Sequence, residues 1–145
     1  MSVQKAVQEE NIALINTFFS LLAKRDILSL TEIASPEIIW HQPGENRFSG
    51  SHNGIMEVGM MMASMLTITQ DNLDITPMAN PMANNDLVSI PVRFEAKVED
   101  KELTREGTDI FRVADGKIVE VWSFSSNQDE IDDFWAEIPN TTSIP

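Results

Sequence analysis

Cysteine and tyrosine are absent from this chain, and basic residues are scarce. Its 145 residues include 23 acidic but only 10 basic side chains, which gives a formal net charge of −13. Without cysteine, the chain can form no disulfide, thiolate metal ligand or cysteine nucleophile. The negative charge argues against nucleic acids and anionic membranes as partners, because both are bound by basic surfaces. We interpret the acidity as a contribution to solubility.

Long apolar runs and leader-like segments are also missing. No run approaches the roughly 20 apolar residues of a membrane-spanning helix. The opening residues, MSVQKAVQEE, lack the apolar centre of a signal peptide. The only histidines, His41 and His52, fit no metal-binding spacing, so we expect neither a metal nor a cofactor. The sequence therefore predicts one domain, residues 1–145, in the cytoplasm.

The first part of the chain predicts helices interrupted by one short strand. Helical periodicity covers Gln4–Lys24, and Asp26 is placed to cap a second, shorter helix that ends before Pro36. A strand follows at Ile38–Gln42. Alternation along it places Ile38, Trp40 and Gln42 on one face and Ile39 and His41 on the other.

A methionine-rich third helix is predicted from a cap at Asn53 to about Leu66. Its expected apolar stripe consists of Ile55, Gly59, Met62 and Met65, with Met56 and Met60 alongside. Unbranched methionine side chains suit an adaptable core or a pocket wall that adjusts to ligands, and both interpretations stay open.

The second part of the chain predicts an antiparallel sheet. Two prolines make Asp71–Met82 an edge strand or an irregular one. Leu87–Glu99 alternates apolar and polar residues, which indicates one buried and one wetter face. Ser126 and Asn127 both offer a cap for a short last helix, which Pro139 ends. Its expected apolar stripe is Ile131, Phe134 and Trp135, and Asn140–Pro145 is expected to be a loose tail.

A long hairpin within Leu103–Phe124 carries the residue on which the functional prediction depends. Two alternating runs, Thr104–Val113 and Lys117–Phe124, flank the turn signal Ala114-Asp115-Gly116. Asp109 interrupts the first run, since carboxylates are uncommon within strands. What Asp109 can do depends on the face to which it points.

The expected register places Asp109 on the buried face. A two-residue turn at Asp100-Lys101 would pair Val92 with Asp109, with Phe111 as a neighbour on the same face. Burial would raise the pKa of this carboxyl group, which could then serve as a general acid or base or donate a hydrogen bond to an oxyanion. Alternatively, Asp109 forms a structural ion pair with Arg105, which shares its face.

The register of the next hairpin stays open between two loops. A two-residue loop, Asp115-Gly116, would place Trp122 opposite Asp109 on the pocket face. A three-residue loop that also includes Ala114 would turn Val119, Val121 and Ser123 inward and Trp122 and Ile110 outward.

Four segments together resemble a known family. They are FFSLLAKRD (Phe18–Asp26), WHQPG (Trp40–Gly44), FSGSHNG (Phe48–Gly54) and DIFRVADGKIVEVW (Asp109–Trp122). These segments resemble the SnoaL-like branch of the nuclear transport factor 2-like superfamily, which includes ketosteroid isomerases and polyketide cyclases. The resemblance implies an α+β cone: a strongly curved antiparallel sheet wrapped by three N-terminal helices, plus a short C-terminal helix, around an apolar pocket.

The resemblance also implies the facing of the last strand and a partner. Family geometry favours the three-residue loop, with Ser123 inward and Trp122 outward. Many members pair through the outer face of the sheet. A homodimer through Ile110, Trp122 and Phe124 is therefore expected.

Known catalytic sets of the family match this chain only in part. The tyrosine and the aspartate base of ketosteroid isomerases correspond to Phe18 and Gln42, which can neither donate from a hydroxyl nor act as a base. Their neutral aspartic acid corresponds to Asp109. The position that resembles the acid/base of the polyketide cyclases is Ser123.

We therefore expect a protein that binds a small hydrophobic molecule. One interpretation is a cofactor-free isomerase, cyclase or hydratase for a carbonyl compound, with Asp109 as the acid and His41 as a second acid or base. The other is a non-catalytic ligand-binding or dimeric interaction module. The residues expected to contact the ligand are Phe18, Trp40, Gln42, Met60, Val92, Phe111 and Ser123.

Overall fold

A computed structural model of the chain describes residues 2–139, so the expected tail Asn140–Pro145 lies outside the described residues. In chain order the elements are α1 (Val3–Ala23), a 3-10 helix (Leu28–Glu32), β1 (Ala34–Gln42), β2 (Gly50–Asn53), α2 (Ile55–Ile68), β3 (Leu73–Pro77), β4 (Met82–Asn84), β5 (Leu87–Val98), β6 (Lys101–Ala114), β7 (Lys117–Ser125) and α3 (Gln128–Glu137). None of the described helices is both long enough and apolar enough to cross a membrane.

The strands form one sheet in the order β2-β1-β7-β6-β5-β3, and β4 also pairs with β5. Every pairing is antiparallel except that of β1 with β7, which is parallel. The expected α+β cone is confirmed. The segment with the two prolines forms β3, at one edge of the sheet, and the separate short strand β4, as proline's missing donor requires.

The first two helices follow the sequence pattern with two changes. Helix α1 buries Ile15, Phe18 and Phe19 along one stripe. The second segment is a single 3-10 helix rather than an α-helix. Its N-cap is Ile27, without a side-chain cap hydrogen bond, so the expected cap at Asp26 is wrong. The Asp26 carboxylate nevertheless accepts hydrogen bonds from the backbone amide and the hydroxyl of Ser29 at 3.2 and 2.7 Å, just before and within this helix.

Helix α2 departs from the prediction at its start and in its buried face. Gly54, with φ of 94°, is its N-cap, and Asn53 belongs to the unpredicted strand β2. The buried side chains are Val58, Met61, Met62, Met65 and Ile68. Met56 and Met60 are 77% and 68% exposed, so the stripe is rotated away from them.

The β5–β6 pairing differs from the expected register by two residues. Val98 pairs with Lys101, and Asp109 lies opposite Ile90 rather than Val92. Because side chains alternate with a period of two, this slip leaves Asp109 on the buried face that the sequence predicts.

The β6–β7 hairpin combines features of the two open alternatives. Ala114 pairs with Lys117 across a two-residue turn, in which Asp115 and Gly116 both have positive φ, at 51° and 76°. Between the pairs Val113–Ile118 and Arg112–Glu120 the register shifts, which leaves Val119 as an extra bulge residue. The expected three-residue loop is wrong.

The bulge nevertheless produces the expected facing at the site. Beyond it, Asp109 pairs with Ser123 and Ile110 pairs with Trp122. Ser123 therefore shares the face of Asp109, and Trp122 lies on the opposite face of the sheet.

Candidate functional site

A cavity of about 80 Å³ lies between the sheet, α2 and α3. Five of the sequence-predicted site residues line it: Trp40, Gln42, Val92, Asp109 and Ser123. The other walls include side chains that the sequence did not assign to the site, among them Met61, Phe94, Gln128 and Ile131. The walls are mainly apolar with a few polar groups, a composition typical of small-molecule sites.

Asp109 is the buried carboxyl group of this cavity. Its side chain is only 4% exposed, and Ser123 Oγ donates a hydrogen bond to Asp109 Oδ1 at 2.6 Å. Desolvation raises the pKa of Asp109 from 3.8 to about 6, although the Ser123 hydrogen bond acts in the opposite direction. Protonated and ionised forms of Asp109 therefore coexist near pH 6.

Arg105 does not form an ion pair with Asp109. The expected structural ion pair between these two residues is therefore wrong. The Arg105 guanidinium forms an ion pair with Glu130 and donates to the Thr104 carbonyl. No ion pair among residues 2–139 involves Asp109. The burial of Asp109 is therefore offset by a neutral hydroxyl donor rather than by an opposite charge.

The Arg105 side of the cavity carries further polar groups. Arg105 and Asp109 are four residues apart on the same face of β6, about 13 Å along the strand. Arg105 Nε and Gln128 Oε1 are buried polar atoms without a hydrogen-bond partner in the described part of the chain. Both residues line the cavity. A donor and an acceptor in this state can be satisfied by a ligand or by water.

Gln42 and Trp40 form a coupled pair in the cavity wall. The indole Nε1 of Trp40 donates to Gln42 Oε1 at 2.9 Å. Because the amide oxygen of Gln42 is engaged by the indole, the group fixes the Trp40 ring rather than acting as a base.

Four predicted site residues lie away from the cavity lining: Phe18, Phe111, Met60 and His41. Phe18 and Phe111 are 3% and 0% exposed and pack on each other with ring centroids 5.2 Å apart. Both rings also contact Trp40, so they support the cavity wall as part of the core. Met60 points to solvent. Met61 and Met62 line the cavity in its place.

His41 was expected near the pocket mouth as a second acid or base, and the structure places it on the outer face of the sheet. Its Nε2 lies 2.6 Å from Glu120 Oε2, and its Nδ1 lies 3.1 Å from Ser51 Oγ. The ring stacks on Trp122 with centroids 5.5 Å apart. Adjacent strand positions face opposite ways, so the sheet separates His41 from Asp109.

Helix α3 closes one side of the cavity and is held by Asp132. This carboxylate accepts hydrogen bonds from the Glu45 amide, the Asn46 side chain and the Gln128 side chain at 3.0, 2.7 and 2.9 Å. Desolvation raises the pKa of Asp132, but these hydrogen bonds outweigh it and hold the pKa below its usual value. The contacts place Gln128 and Ile131 against the cavity.

Of the cavity residues that the sequence did not assign to the site, Ile131 and Met61 lie in segments with a recognisable sequence pattern, and Gln128 does not. Ile131 belongs to the apolar stripe expected for the last helix, and Met61 lies within the methionine-rich segment. Gln128 carried no such signal, because its role depends on how α3 docks against the loop that contains Asn46.

The family model for the SnoaL-like domain matches residues 15–121. The chain belongs to the SnoaL-like domain family. This SnoaL-like chain is 36% identical to a protein of unknown function with a cystatin-like fold from Xanthomonas campestris. That match covers 86% of this chain and 97% of the other, with a TM-score of 0.81.

Two further solved structures share the SnoaL-like fold at lower identity. TerC, co-crystallised with polyporic acid, is 17% identical over 88% of this chain and 99% of its own, with a TM-score of 0.77. A putative SnoaL-like polyketide cyclase from Jannaschia sp. CCS1 is 13% identical over 96% of this chain and 98% of its own, with a TM-score of 0.74. At these identities the similarity shows the fold alone.

Proposed function

We propose that this SnoaL-like protein binds a small hydrophobic carbonyl compound and moves a proton on it without a cofactor. The observation that carries the proposal is a buried carboxyl group, Asp109, that lines an apolar cavity and has a hydroxyl rather than a cation as its partner. TerC, which shares the fold, is co-crystallised with polyporic acid, and a relative is a putative polyketide cyclase. Both descriptions support a small-molecule site.

Asp109 is the proton carrier in this proposal. Ionised Asp109 accepts a proton from the carbon next to the ligand carbonyl, and the electron pair of that C–H bond moves onto the carbonyl oxygen as an enolate. Protonated Asp109 then returns the proton to the same or a conjugated carbon, which gives exchange or isomerisation. With a pKa of about 6, the group is suited to both steps near neutral pH.

Ser123 and the apolar walls prepare the carboxyl group for this role. The Ser123 hydroxyl donates to Asp109 Oδ1 at 2.6 Å, and no hydrogen bond found among the described residues engages the second carboxyl oxygen, which is therefore available to a ligand. The cavity includes Trp40 and Val92, whose apolar surfaces exclude water and strengthen the interaction of Asp109 with a ligand.

The test is proton exchange at the carbon next to a carbonyl, followed by NMR in deuterium oxide over a panel of cyclic ketones and enones. We expect Asp109→Asn to lower the exchange rate by about 10²–10⁴-fold, the usual contribution of a general acid or base. Asp133→Asn, a change at an exposed neighbour of Asp132 on α3, should retain the wild-type rate. Wild-type protein that binds ketones without exchanging their protons would contradict catalysis and favour the non-catalytic ligand-binding module.

We also propose a homodimer through the outer face of the sheet, in the cytoplasm. Phe124 is 50% exposed on this face, and the Arg112 guanidinium lies 5.1 Å from the centre of the Trp122 ring. Ile110 lies beside Trp122 across the strand pair. In analytical ultracentrifugation we expect a dimer that Phe124→Glu converts to a monomer. A wild-type monomer at high protein concentration would overturn the dimer, and cell fractionation tests the compartment.

A further inference from the structure

A second cavity lies directly beside the one that contains Asp109. Its volume is about 70 Å³, and it lies between the end of α1, α2 and β3. Met62, Met65 and Ile75 line both cavities. A single layer of side chains therefore separates the two spaces.

The separating side chains are of a kind that can move. Met62 and Met65 are three residues apart on α2 and share a face of the helix. Each is unbranched with three rotatable bonds, so a change of rotamer alters the opening between the cavities without moving the backbone. Ile75, on β3, is the stiff member of the partition, because its side chain is branched at Cβ.

Each cavity by itself is small. Pockets for drug-sized ligands measure about 300–1,000 Å³, whereas these two measure about 80 and 70 Å³. The first offers an acid at Asp109, and the second offers apolar walls that include Leu22, Leu66 and Leu73. Arg25 and Asp74 also line the second cavity and form an ion pair, with 3.1 Å between the charged groups.

We infer that the two cavities are the head and tail chambers of one binding site, and that its ligand is an elongated carbonyl compound whose apolar tail passes between Met62 and Met65. The inference rests on the proposed function, which places the carbonyl group at Asp109. The head chamber is the space that Asp109 lines, and the tail chamber is the space that Leu66 lines. The negative charge of the protein, −13, favours an uncharged ligand over a fatty acid anion.

The experiment is a calorimetric titration with methyl ketones of increasing length: butanone, methyl hexyl ketone and methyl decyl ketone. Butanone should occupy the head chamber alone. Affinity should then increase by about fourfold for each methylene that enters the tail chamber. Blocking the tail chamber should remove this increase and leave butanone binding unchanged.

Two variants block the tail chamber in different ways. Leu66→Trp adds volume from α2, and Ala23→Met adds it from an exposed position at the end of α1 that the fold can tolerate. Ala13→Met, at an exposed position on the same helix and away from both cavities, is the matched control. Circular dichroism before each titration identifies a variant that has failed to fold. If Leu66→Trp fails to fold, Ala23→Met alone tests the blocked tail chamber.

The outcomes separate this inference from the proposed function. Loss of the length dependence in the tail-chamber variants, with butanone binding retained, supports the two-chamber site. Butanone binding with no gain from longer chains, or an equal gain in wild type and Ala23→Met, overturns the tail chamber and leaves the proposed function in place. If no ketone of any length binds and none undergoes proton exchange, the proposed function itself fails.

Discussion

Ser123 donates a 2.6 Å hydrogen bond to Asp109 across the β6–β7 pair, where the two residues lie directly opposite each other. This hydroxyl is the only hydrogen-bond partner found for the Asp109 side chain in the described chain. The pair explains how a carboxyl group can be buried here without a counter-charge. Desolvation raises the pKa and the hydrogen bond moderates that rise, so the group titrates near neutral pH.

Replacing Asp109 by asparagine should stabilise the protein at high pH. The pKa of Asp109 is about 6 in the fold against 3.8 for the ordinary group, so the folded state holds its proton more tightly. The contribution of this proton to stability is fully present below pH 3.8 and is lost as the pH rises through about 6. The variant should therefore exceed wild type in free energy of unfolding by up to roughly 3 kcal/mol at about pH 8. This gain is reduced because the amide oxygen of asparagine accepts the Ser123 hydrogen bond more weakly than a carboxylate does.

Urea denaturation of wild type and Asp109→Asn across the pH range measures this difference. The gap between the two proteins should be small below about pH 4 and should widen towards pH 7. A gap that does not change with pH would contradict the raised pKa of Asp109.

Replacing Ser123 by alanine should raise the pKa of Asp109 further. The Ser123 hydroxyl lowers this pKa by stabilising the ionised carboxylate, and alanine removes the donor without adding bulk. Carbon-13 NMR titration of the Asp109 carboxyl carbon measures the change, with Asp109→Asn used to assign the signal. Ser125→Ala, also at the cavity, is the control that should leave the titration unchanged. An unchanged or lower pKa in Ser123→Ala would refute the assigned role of the hydroxyl.

Two glycine substitutions should have opposite effects on stability. A Cβ at Gly107 would lie 2.0 Å from the Phe124 carbonyl oxygen, so Gly107→Ala must push β6 and β7 apart. We expect a loss of about 1–3 kcal/mol, the usual cost of overpacking. A Cβ at Gly59, inside α2, would meet its nearest neighbour, Ile27, at 3.9 Å. Gly59→Ala should therefore stabilise the protein by about 0.5–1 kcal/mol.

Thermal and urea denaturation of the two alanine variants measure these changes. Equal effects of the two substitutions would show that the close approach of Phe124 to Gly107 does not govern the β6–β7 pairing.

Replacing Asp132 by asparagine should loosen α3 at the cavity. The charged carboxylate accepts three hydrogen bonds, and the neutral amide of asparagine accepts them more weakly, so we expect a loss of about 1 kcal/mol. The pKa of Asp132 is held low, so its contribution is present above the ordinary value of 3.8 and lost as the pH falls below it. Hydrogen exchange of the α3 amides measures the loosening, and Asp133→Asn should leave the exchange rates as in wild type.

The sequence by itself determined most elements of this protein, though not the short strands β2 and β4, and it determined the face to which Asp109 points. Alternation in Leu87–Glu99 and the turn signal at Asp115-Gly116 act between neighbouring residues, so they can be read without the fold. Asp109 was placed on the buried face although its assigned partner, Val92, was wrong. A slip of two residues changes the partner of a side chain and preserves its face.

Only the tertiary structure decided which residues surround the cavity. Phe18 and Phe111 have the pattern of pocket residues, yet they fill the core behind Trp40, and Met60 points to solvent because α2 is rotated about its axis. The Val119 bulge placed Ser123 opposite Asp109. Local periodicity records which face of an element is apolar. A cavity is what remains after distant elements have packed, so its lining depends on contacts that no single segment specifies.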